Sequence, residues 1–282
     1  MTANKDLEFK SIQYRREILS MIHNANAGHT AGDLSCIDIL NVLYNHVMDI
    51  RPENFSSPYR DRYIQSKGHS VEALYAVLAD LGFYNRQELE TLNQYQSDFV
   101  GHPTRSVNGI EHNTGALGHG LSVAVGIALA FKKDNQPHRV FTLLGDGELE
   151  EGSNWEACMS AAHYRLDNLV VIVDRNTLQI TDRTEKISQL EPLADKFCAF
   201  GFAVRSVDGN SISELVDIFQ GIPFESGKPN LILARTVKGK GVSFIEDNLQ
   251  WHHHAPNEVE YRDALAELGQ AELKLKHAYE PG

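Results

Sequence analysis

The stretch RVFTLLGDGELEEGSNWEACMSAAHYRLDNLVVIVDRNTLQI, residues 139–180, decides the fold. Val140 to Leu144 is a continuous apolar run of strand length that stops at Gly145-Asp146-Gly147. A helical pattern follows, opened by Ser153-Asn154-Trp155-Glu156 in the order of a capping box. A second apolar run, Leu169 to Val173, ends at Asp174-Arg175-Asn176. Strand, turn, helix, strand is one βαβ unit, with parallel strands and ligands beyond their carboxyl ends. Asp146 and Asn176 each sit just past such an end, so their side chains converge on one place. A carboxylate and an amide oxygen are hard donors suited to magnesium or calcium. Gly145 and Gly147 let backbone N–H groups approach an anion closely.

Working outward, residues 8–25 place Ile12, Ile18, Leu19 and Ile22 on one side of a helix. The loop 26–32 ends it. Asp33 is positioned to cap a second helix, in which Leu34, Ile37, Leu40, Leu43 and Val47 recur at helical spacing. Residues 62–65 predict a short strand that runs into Ser66-Lys67-Gly68-His69 and a helix from about Val71 to Leu81. Residues 97–120 are a long loop rich in glycine and histidine, of the kind that carries function. The helix after it, Leu121 to Lys132, is small and apolar on all sides, a pattern for burial. Further on, strands over 203–207 and 231–237 flank a helix over 213–219. Lys238-Gly239-Lys240-Gly241 reads as a mobile loop, Trp251 to Pro256 as a compact turn, and about 258–278 as an amphipathic, charged tail helix. With no repeat or linker, the expectation is one α/β domain over residues 1–282, its mostly parallel central sheet covered by helices on both faces.

The net charge of −12 argues against nucleic acid or an anionic membrane as partner, while leaving room for a local positive pocket. The longest apolar run, 121–131, is broken by Ser122 and Gly126 and is too short to span a bilayer. The N-terminus MTANKDLEFK lacks the apolar core of a signal peptide. Cys36, Cys158 and Cys198 are odd in number, lie in apolar patterns and show no CxxC spacing. They read as reduced, mostly buried thiols of a cytoplasmic protein rather than zinc ligands.

Four histidines occur in similar local settings, His29 in Ala-Gly-His-Thr, His69 in Lys-Gly-His-Ser, His102 in Val-Gly-His-Pro and His252 in Gln-Trp-His-His. Glycine before a functional side chain permits an unusual turn and leaves space for a ligand. Several imidazoles around one cleft suit proton transfer near neutral pH.

Residues 145–178 resemble the thiamine diphosphate motif, Gly-Asp-Gly followed about thirty residues later by Asn. Together with 27–35, 66–69, 101–103, 114–121 and 236–244, in that order, they make the chain similar to transketolases from about residue 14 to 256. The resemblance implies a thiamine diphosphate-binding fold and ketol transfer between a ketose (phosphate) and an aldose (phosphate). It implies a divalent metal, Mg²⁺ or Ca²⁺, held by Asp146, Asn176 and the carbonyl of Leu178. It also implies that the backbone at Gly115 and Leu117 holds the aminopyrimidine. His29, His69, His102 and His252 would line the substrate channel, with His69 and His102 on the donor hydroxyls. Glu151 would lie between subunits, in a path linking paired sites. Two departures stand out. His119 replaces a glutamine or another polar residue, and Trp251-His252-His253-His254-Ala255-Pro256 replaces Trp-His-Gly-Lys-Ala-Pro. The extra imidazoles are expected to read an anionic substrate end, with KM rising between about pH 6 and 8.

The resemblance stops after a first domain. The pyrimidine-binding domain and its glutamate are expected on a separate chain, two copies of each, and Met1 favours a natural short reading frame. The same motif occurs in subunits of 2-oxo acid dehydrogenases and of deoxyxylulose phosphate synthase, against which Ser-Lys-Gly-His-Ser and Gly-His-Pro speak. A non-catalytic regulatory protein on the same fold is the reading from another class.

Overall fold

A computed structural model describes residues 2–279. Met1 and residues 280–282, which the expected single domain takes in, lie outside the described residues. The strands are β1 (Arg62–Gln65), β2 (Val140–Gly145), β3 (Leu169–Arg175), β4 (Ala203–Asp208) and β5 (Asn230–Arg235). They form one sheet in the order β1-β2-β3-β5-β4, and every neighbouring pair is parallel. The helices are α1 (Thr2–Ala25), α2 (Thr30–Val42), α3 (Val71–Asp80), α4 (Gly120–Lys133), α5 (Gly152–His163), α6 (Thr184–Ile187), α7 (Leu193–Ala199), α8 (Ile212–Gln220) and α9 (Glu258–Tyr279).

Alternation along the central strands divides the core in two. Phe141, Leu143, Val170, Ile172 and Ile232 face α1, α2, α3 and α8, meeting Ile18, Ile37, Leu74 and Leu215. Val140, Leu144, Val171, Val173 and Leu233 face α4, α5 and α7, meeting Leu121, Ala124, Cys158 and Phe197. Period-2 side chains that are apolar on both faces are what a doubly covered parallel sheet requires. Each fully buried Leu, Ile or Phe contributes about 1.5–3 kcal/mol. The tail helix α9 closes over α1 through Ala264 and Leu268, with an Arg16–Glu272 ion pair of 2.7 Å.

Several local expectations are corrected. α1 begins at Thr2 rather than near residue 8, because a polar first turn does not prevent helix formation. Asp33 does not cap α2, which starts earlier at Thr30; its carboxylate instead accepts the Ala73 amide in the first turn of α3, at 2.8 Å. Ser153 and Glu156 form no capping box. Glu151 is the N-cap of α5, and the Ser153 hydroxyl donates to the Gly118 carbonyl at 2.7 Å. α4 is not buried all round: Ser122, Gly126 and Ala130 are exposed on one face. Cys198 is exposed, unlike Cys36 and Cys158. The 238–241 loop is anchored, since the Gly239 amide donates to Ala31 O and Arg15 Nε to Lys240 O.

Candidate active site

Four neighbouring strands end at one edge, and each delivers a polar group there. β1 runs into Lys67 and His69, β2 into Asp146, β3 into Asn176, and β5 into Lys238. The turn before α2 adds His29, the 97–120 loop adds His102, Gly115 and Leu117, and the turn before α9 adds His252. These residues line a cavity of about 440 Å³ that also exposes Gly145, Gly147, Leu178 and Gln179. Glycine is needed where the walls come close. At Gly115 (φ +135°) a Cβ would lie 2.9 Å from His102 Cδ2, and at Gly147 it would lie 2.6 Å from Gln179 Cγ.

The floor is a saturated polar network. Asp174, fully buried in β3, accepts Ser35 Oγ at 2.5 Å and is also bonded by Lys67 Nζ and Thr236 Oγ1. Burial alone would raise its pKa, but Lys67 and these donors outweigh that and hold it below the ordinary carboxylate value. Lys67 Nζ also donates to Gly32 O at 3.1 Å. Asp146 accepts the Thr177 amide at 2.6 Å and Arg175 at 3.1 Å. Glu148, also buried, joins three loops by accepting Ser66 Oγ, the Gly118 amide at 2.9 Å and the Gly145 amide at 3.0 Å. The Gly147 amide donates to Asp146 Oδ1 at 2.9 Å. The amides of Gly145 and Gly147 are thus both engaged by carboxylates of the chain. Positive charge comes instead from two buried ammonium groups, Lys67 and Lys238. Burial and then Lys67 pull Lys238 down to about 8.

Lys238 Nζ donates to the Leu178 carbonyl at 2.8 Å and contacts His252 Nδ1 at 2.8 Å. The Leu178 carbonyl thus already faces a cationic group. Asn176 Oδ1 accepts the Leu178 amide at 3.2 Å, so Asp146, Asn176 and Leu178 present oxygens on one wall. That donor set, one carboxylate and two neutral oxygens, suits a hard divalent cation that shares its shell with an anionic ligand. Among the described residues no group of three or more His, Cys, Asp or Glu side chains has metal-binding geometry.

At the rim the imidazoles cluster, and His29 is their centre. Its ring centroid lies 5.1 Å from His69, 6.4 Å from His102, 5.6 Å from His252 and 4.4 Å from His253. Burial, then His253 and His102, lower His29 to about 3; burial, then Lys238, lower His252 to about 3. Burial and the Lys67 charge hold His69 well below the ordinary value, and burial lowers His102. His29, His69 and His252 therefore do not titrate near neutral pH in the free protein, contrary to the expectation from histidine's ordinary range. They are neutral there, each with one ring nitrogen able to accept a proton. Because Lys238 has no lone pair to offer when charged, His252 Nδ1 accepts and its proton sits on Nε2.

Of the expected site residues, Glu151 alone stays outside the cavity. It is exposed at the start of α5, its Cβ against Gly118. His119 is also exposed, Nδ1 on its neighbour's carbonyl at Leu117, 3.0 Å away. His253 is exposed at the cavity mouth, whereas His254 turns away, with Nε2 on Glu260 at 3.0 Å and its ring edge-on to Trp251. His252 is held on Lys238 and His254 on Glu260, so of the three consecutive histidines only His253 is exposed. Sequence reasoning assigned no role to Lys67, Lys238, Glu148 or Asp174. Lys67 and Lys238 lie inside quoted motifs; the signal was a lysine beside glycine at a strand end.

The fold and the site define a diphosphate-binding α/β domain with a histidine-lined channel. The family described as transketolase, thiamine diphosphate binding domain, matches residues 9–275, and the chain belongs to that family. It is 44% identical over 270 residues to an apulose-4-phosphate transketolase subunit of Phocaeicola vulgatus, covering 96% of each chain. It is 42% identical to a 6-deoxy-6-sulfo-D-fructose transketolase subunit of a Clostridium species, covering 93% of this chain and 96% of that one. The human transketolase is 40% identical over 229 residues, but these are 81% of this chain and only 36% of the human one. The transketolase structure from Leishmania mexicana superimposes with a TM-score of 0.86 at 29% identity, covering 93% of this chain and 41% of that one. The chain is a transketolase-type subunit with the thiamine diphosphate-binding fold. No helix among the described residues is long and apolar enough to cross a membrane.

Proposed function

We propose that this chain is the diphosphate-binding subunit of a split, cytoplasmic transketolase that moves a two-carbon ketol unit from a ketose (phosphate) to an aldose (phosphate). The observation that carries this reading is the juxtaposition of four imidazoles with two buried lysines in one cavity, a fifth imidazole, His253, standing against His29. Thiamine diphosphate, when bound, supplies the electron sink for breaking and making the C–C bond. Lys67 and Lys238 attract the diphosphate. Asp146, Asn176 and the Leu178 carbonyl hold Mg²⁺ or Ca²⁺ beside it, with Gly145 and Gly147 giving it room. The backbone at Gly115 and Leu117 receives the aminopyrimidine. His69 and His102 bind donor hydroxyls and move their protons, His29 passes protons between rings, and His252 donates through Nε2. Neutral imidazoles can donate and accept hydrogen bonds to sugar hydroxyls, and an anionic ligand beside them would raise their depressed pKa values toward the working range.

A partner chain would supply the pyrimidine-binding domain and its glutamate, most simply as two copies of each chain. Two observations support it: relatives of this length are named as subunits, and this chain matches only 36% of the human enzyme. The exposed small residues of α4 and the exposed side chains of Met159 (62%) and Ile180 (70%) are positions for that contact to cover. Glu151 would then lie at the interface. The test is co-expression with the adjacent reading frame and product analysis with ketose donors, including apulose 4-phosphate and 6-deoxy-6-sulfofructose, plus thiamine diphosphate and Mg²⁺. Ketol transfer by the mixture and none by the isolated chain is expected. Equal turnover without the partner overturns the split, and turnover of pyruvate alone overturns the chemistry.

A further inference from the structure

Beneath the two histidine-bearing turns lies a pair of acidic side chains that the proposed chemistry does not use. Asp33, in the first turn of α2, and Glu72, in the first turn of α3, are both fully buried. The two carboxyl groups are close enough to influence each other's ionisation. Asp33 Oδ1 accepts the Ala73 amide at 2.8 Å, while Asp33 Oδ2 and both Glu72 oxygens have no hydrogen-bond donor among the described residues. The nearest cation, Lys67, directs its ammonium to Asp174 and to the Gly32 carbonyl instead. Two ionised carboxylates in dry contact repel strongly, so one of them must keep a proton. The acid then donates its O–H to the other carboxylate. Asp33, which already accepts a backbone N–H, is the better anion, and Glu72 is the acid.

The position of this pair gives it a task. Asp33 follows His29 by four residues, and Glu72 follows His69 by three. Glu72 Oε1 packs on the His29 turn, lying 3.1 Å from where a Cβ on Gly28 would be. On the other side, a Cβ on Gly32 would lie 3.1 Å from Ser70 Oγ and 3.6 Å from the His69 ring. The imidazoles of the two turns stand 5.1 Å apart.

We propose that Asp33 and Glu72 are positioning residues that share one proton and so clamp the His29 turn to the His69 turn. Burial raises both carboxyl groups, most of all Glu72. The charged and titratable groups around the pair are Lys67, His29 and His69 from the turns, Cys36 from α2, Tyr75 from α3 and Asp174 from β3; from α1 the packed side chain is Ile22. A group whose folded pKa is raised binds a proton that the unfolded chain releases. The pair therefore stabilises the fold at low pH, and its contribution falls as pH rises above the ordinary carboxylate range.

The role in positioning rests on the proposed transketolase reading, but the shared proton does not, so the experiment has two arms. In the first, urea unfolding of the full chain is followed between about pH 5 and 7 for wild type and Glu72→Gln. The wild-type unfolding constant should rise up to about tenfold per pH unit more steeply than that of the variant, the linkage of one proton. Equal slopes overturn the shared proton, whatever the enzyme does. In the second arm, kcat/KM is measured with the partner chain. Glu72→Gln, whose amide still donates to Asp33, should retain it, and Glu72→Val should lose at least tenfold. A Glu72→Val protein that folds and keeps full kcat/KM overturns the clamp. If Glu72→Val does not fold, the decision falls to Glu72→Gln: a tenfold loss despite the preserved hydrogen bond overturns it equally.

Discussion

The floor and the rim of one cavity are built on opposite plans. On the floor, Asp174, Lys67, Asp146, Glu148 and Arg175 have their charges or polar atoms engaged within the chain. At the rim the rings of His29, His69 and His102 touch one another but have no hydrogen-bonding partner among the described residues, and His252 has one. A saturated network fixes geometry when the chain folds, before any ligand arrives. Unsatisfied imidazoles leave their donors and acceptors for what enters. The two halves are nonetheless coupled, because Lys67 and Lys238 are among the causes that hold His29, His69 and His252 neutral. In the proposed reading the floor would hold the anion, and its lysines add to burial in keeping the rim neutral.

The sharpest way to break this division is at Asp146. Asp146→Ala removes the only carboxylate among the expected metal ligands, and metal-dependent retention of thiamine diphosphate should vanish. The fold should persist, because Arg175 keeps Thr184, Glu185 and Glu191 at 2.7, 2.7 and 3.0 Å. Cofactor titration with and without Mg²⁺, alongside circular dichroism, measures both. Tight, metal-dependent binding by the variant contradicts the assignment.

The rim should respond in the opposite sense. His69→Ala and His102→Ala, assayed with the partner chain, should each lose about 10²–10⁴ in kcat/KM, the usual worth of one general acid–base group. Cofactor affinity should hold within a few fold. Near-normal kcat/KM in both variants would remove the rim from the chemistry. Since His29 and His252 lie at about 3, they should add no acid limb to kcat/KM between about pH 5 and 7.

The coupling between floor and rim has its own test at Lys238. Its pKa is lowered to about 8, so in the free protein its charge is present below that pH and lost as pH rises through it. Thiamine diphosphate affinity should fall above about pH 8, by at most tenfold per pH unit for one linked proton. Lys238→Met should bind more weakly throughout and lose that slope. An unchanged slope in the variant would assign the titration to another group.

The sequence made the floor's backbone plain and its charges obscure. Two apolar runs ending at Asp146 and Asn176 are a local pattern, and a strand end predicts where its next side chain lies. Glu148 and Asp174 carry no such signal. An acidic residue after Gly-Asp-Gly, or at the end of an apolar run, looks like solvent-facing polarity until the chain folds it against Ser66 or Lys67. Asp33 shows the same limit. Its capping role was legible, but the helix it caps is α3, forty residues away from it at Ala73. The rim was legible as four glycine- or tryptophan-flanked histidines. Their mutual contact, and so their depressed pKa values, depended on the packing of distant turns.

The turn at 252–254 gives the smallest predicted effect and the finest division between neighbours. The three consecutive histidines look equivalent in sequence, yet the fold separates them. His252 is held by Lys238, and His254 is held by Glu260 with its backbone carbonyl accepting Thr30 Oγ1 at 2.6 Å. Only His253 stands exposed at the mouth, edge-on to His29. A neutral imidazole can donate one hydrogen bond to an anionic substrate end, and a net hydrogen bond is worth about 0.5–1.5 kcal/mol. His253→Gly should therefore raise KM for a phosphorylated or sulfonated ketose by about 2–10-fold and leave kcat and the KM of a neutral ketose unchanged. His254→Lys still offers Glu260 a hydrogen-bond donor and should shift KM by less than about twofold, the range of a surface change. If the two variants behave alike, the exposed imidazole does not read the substrate, and the anion must be recognised by the partner chain.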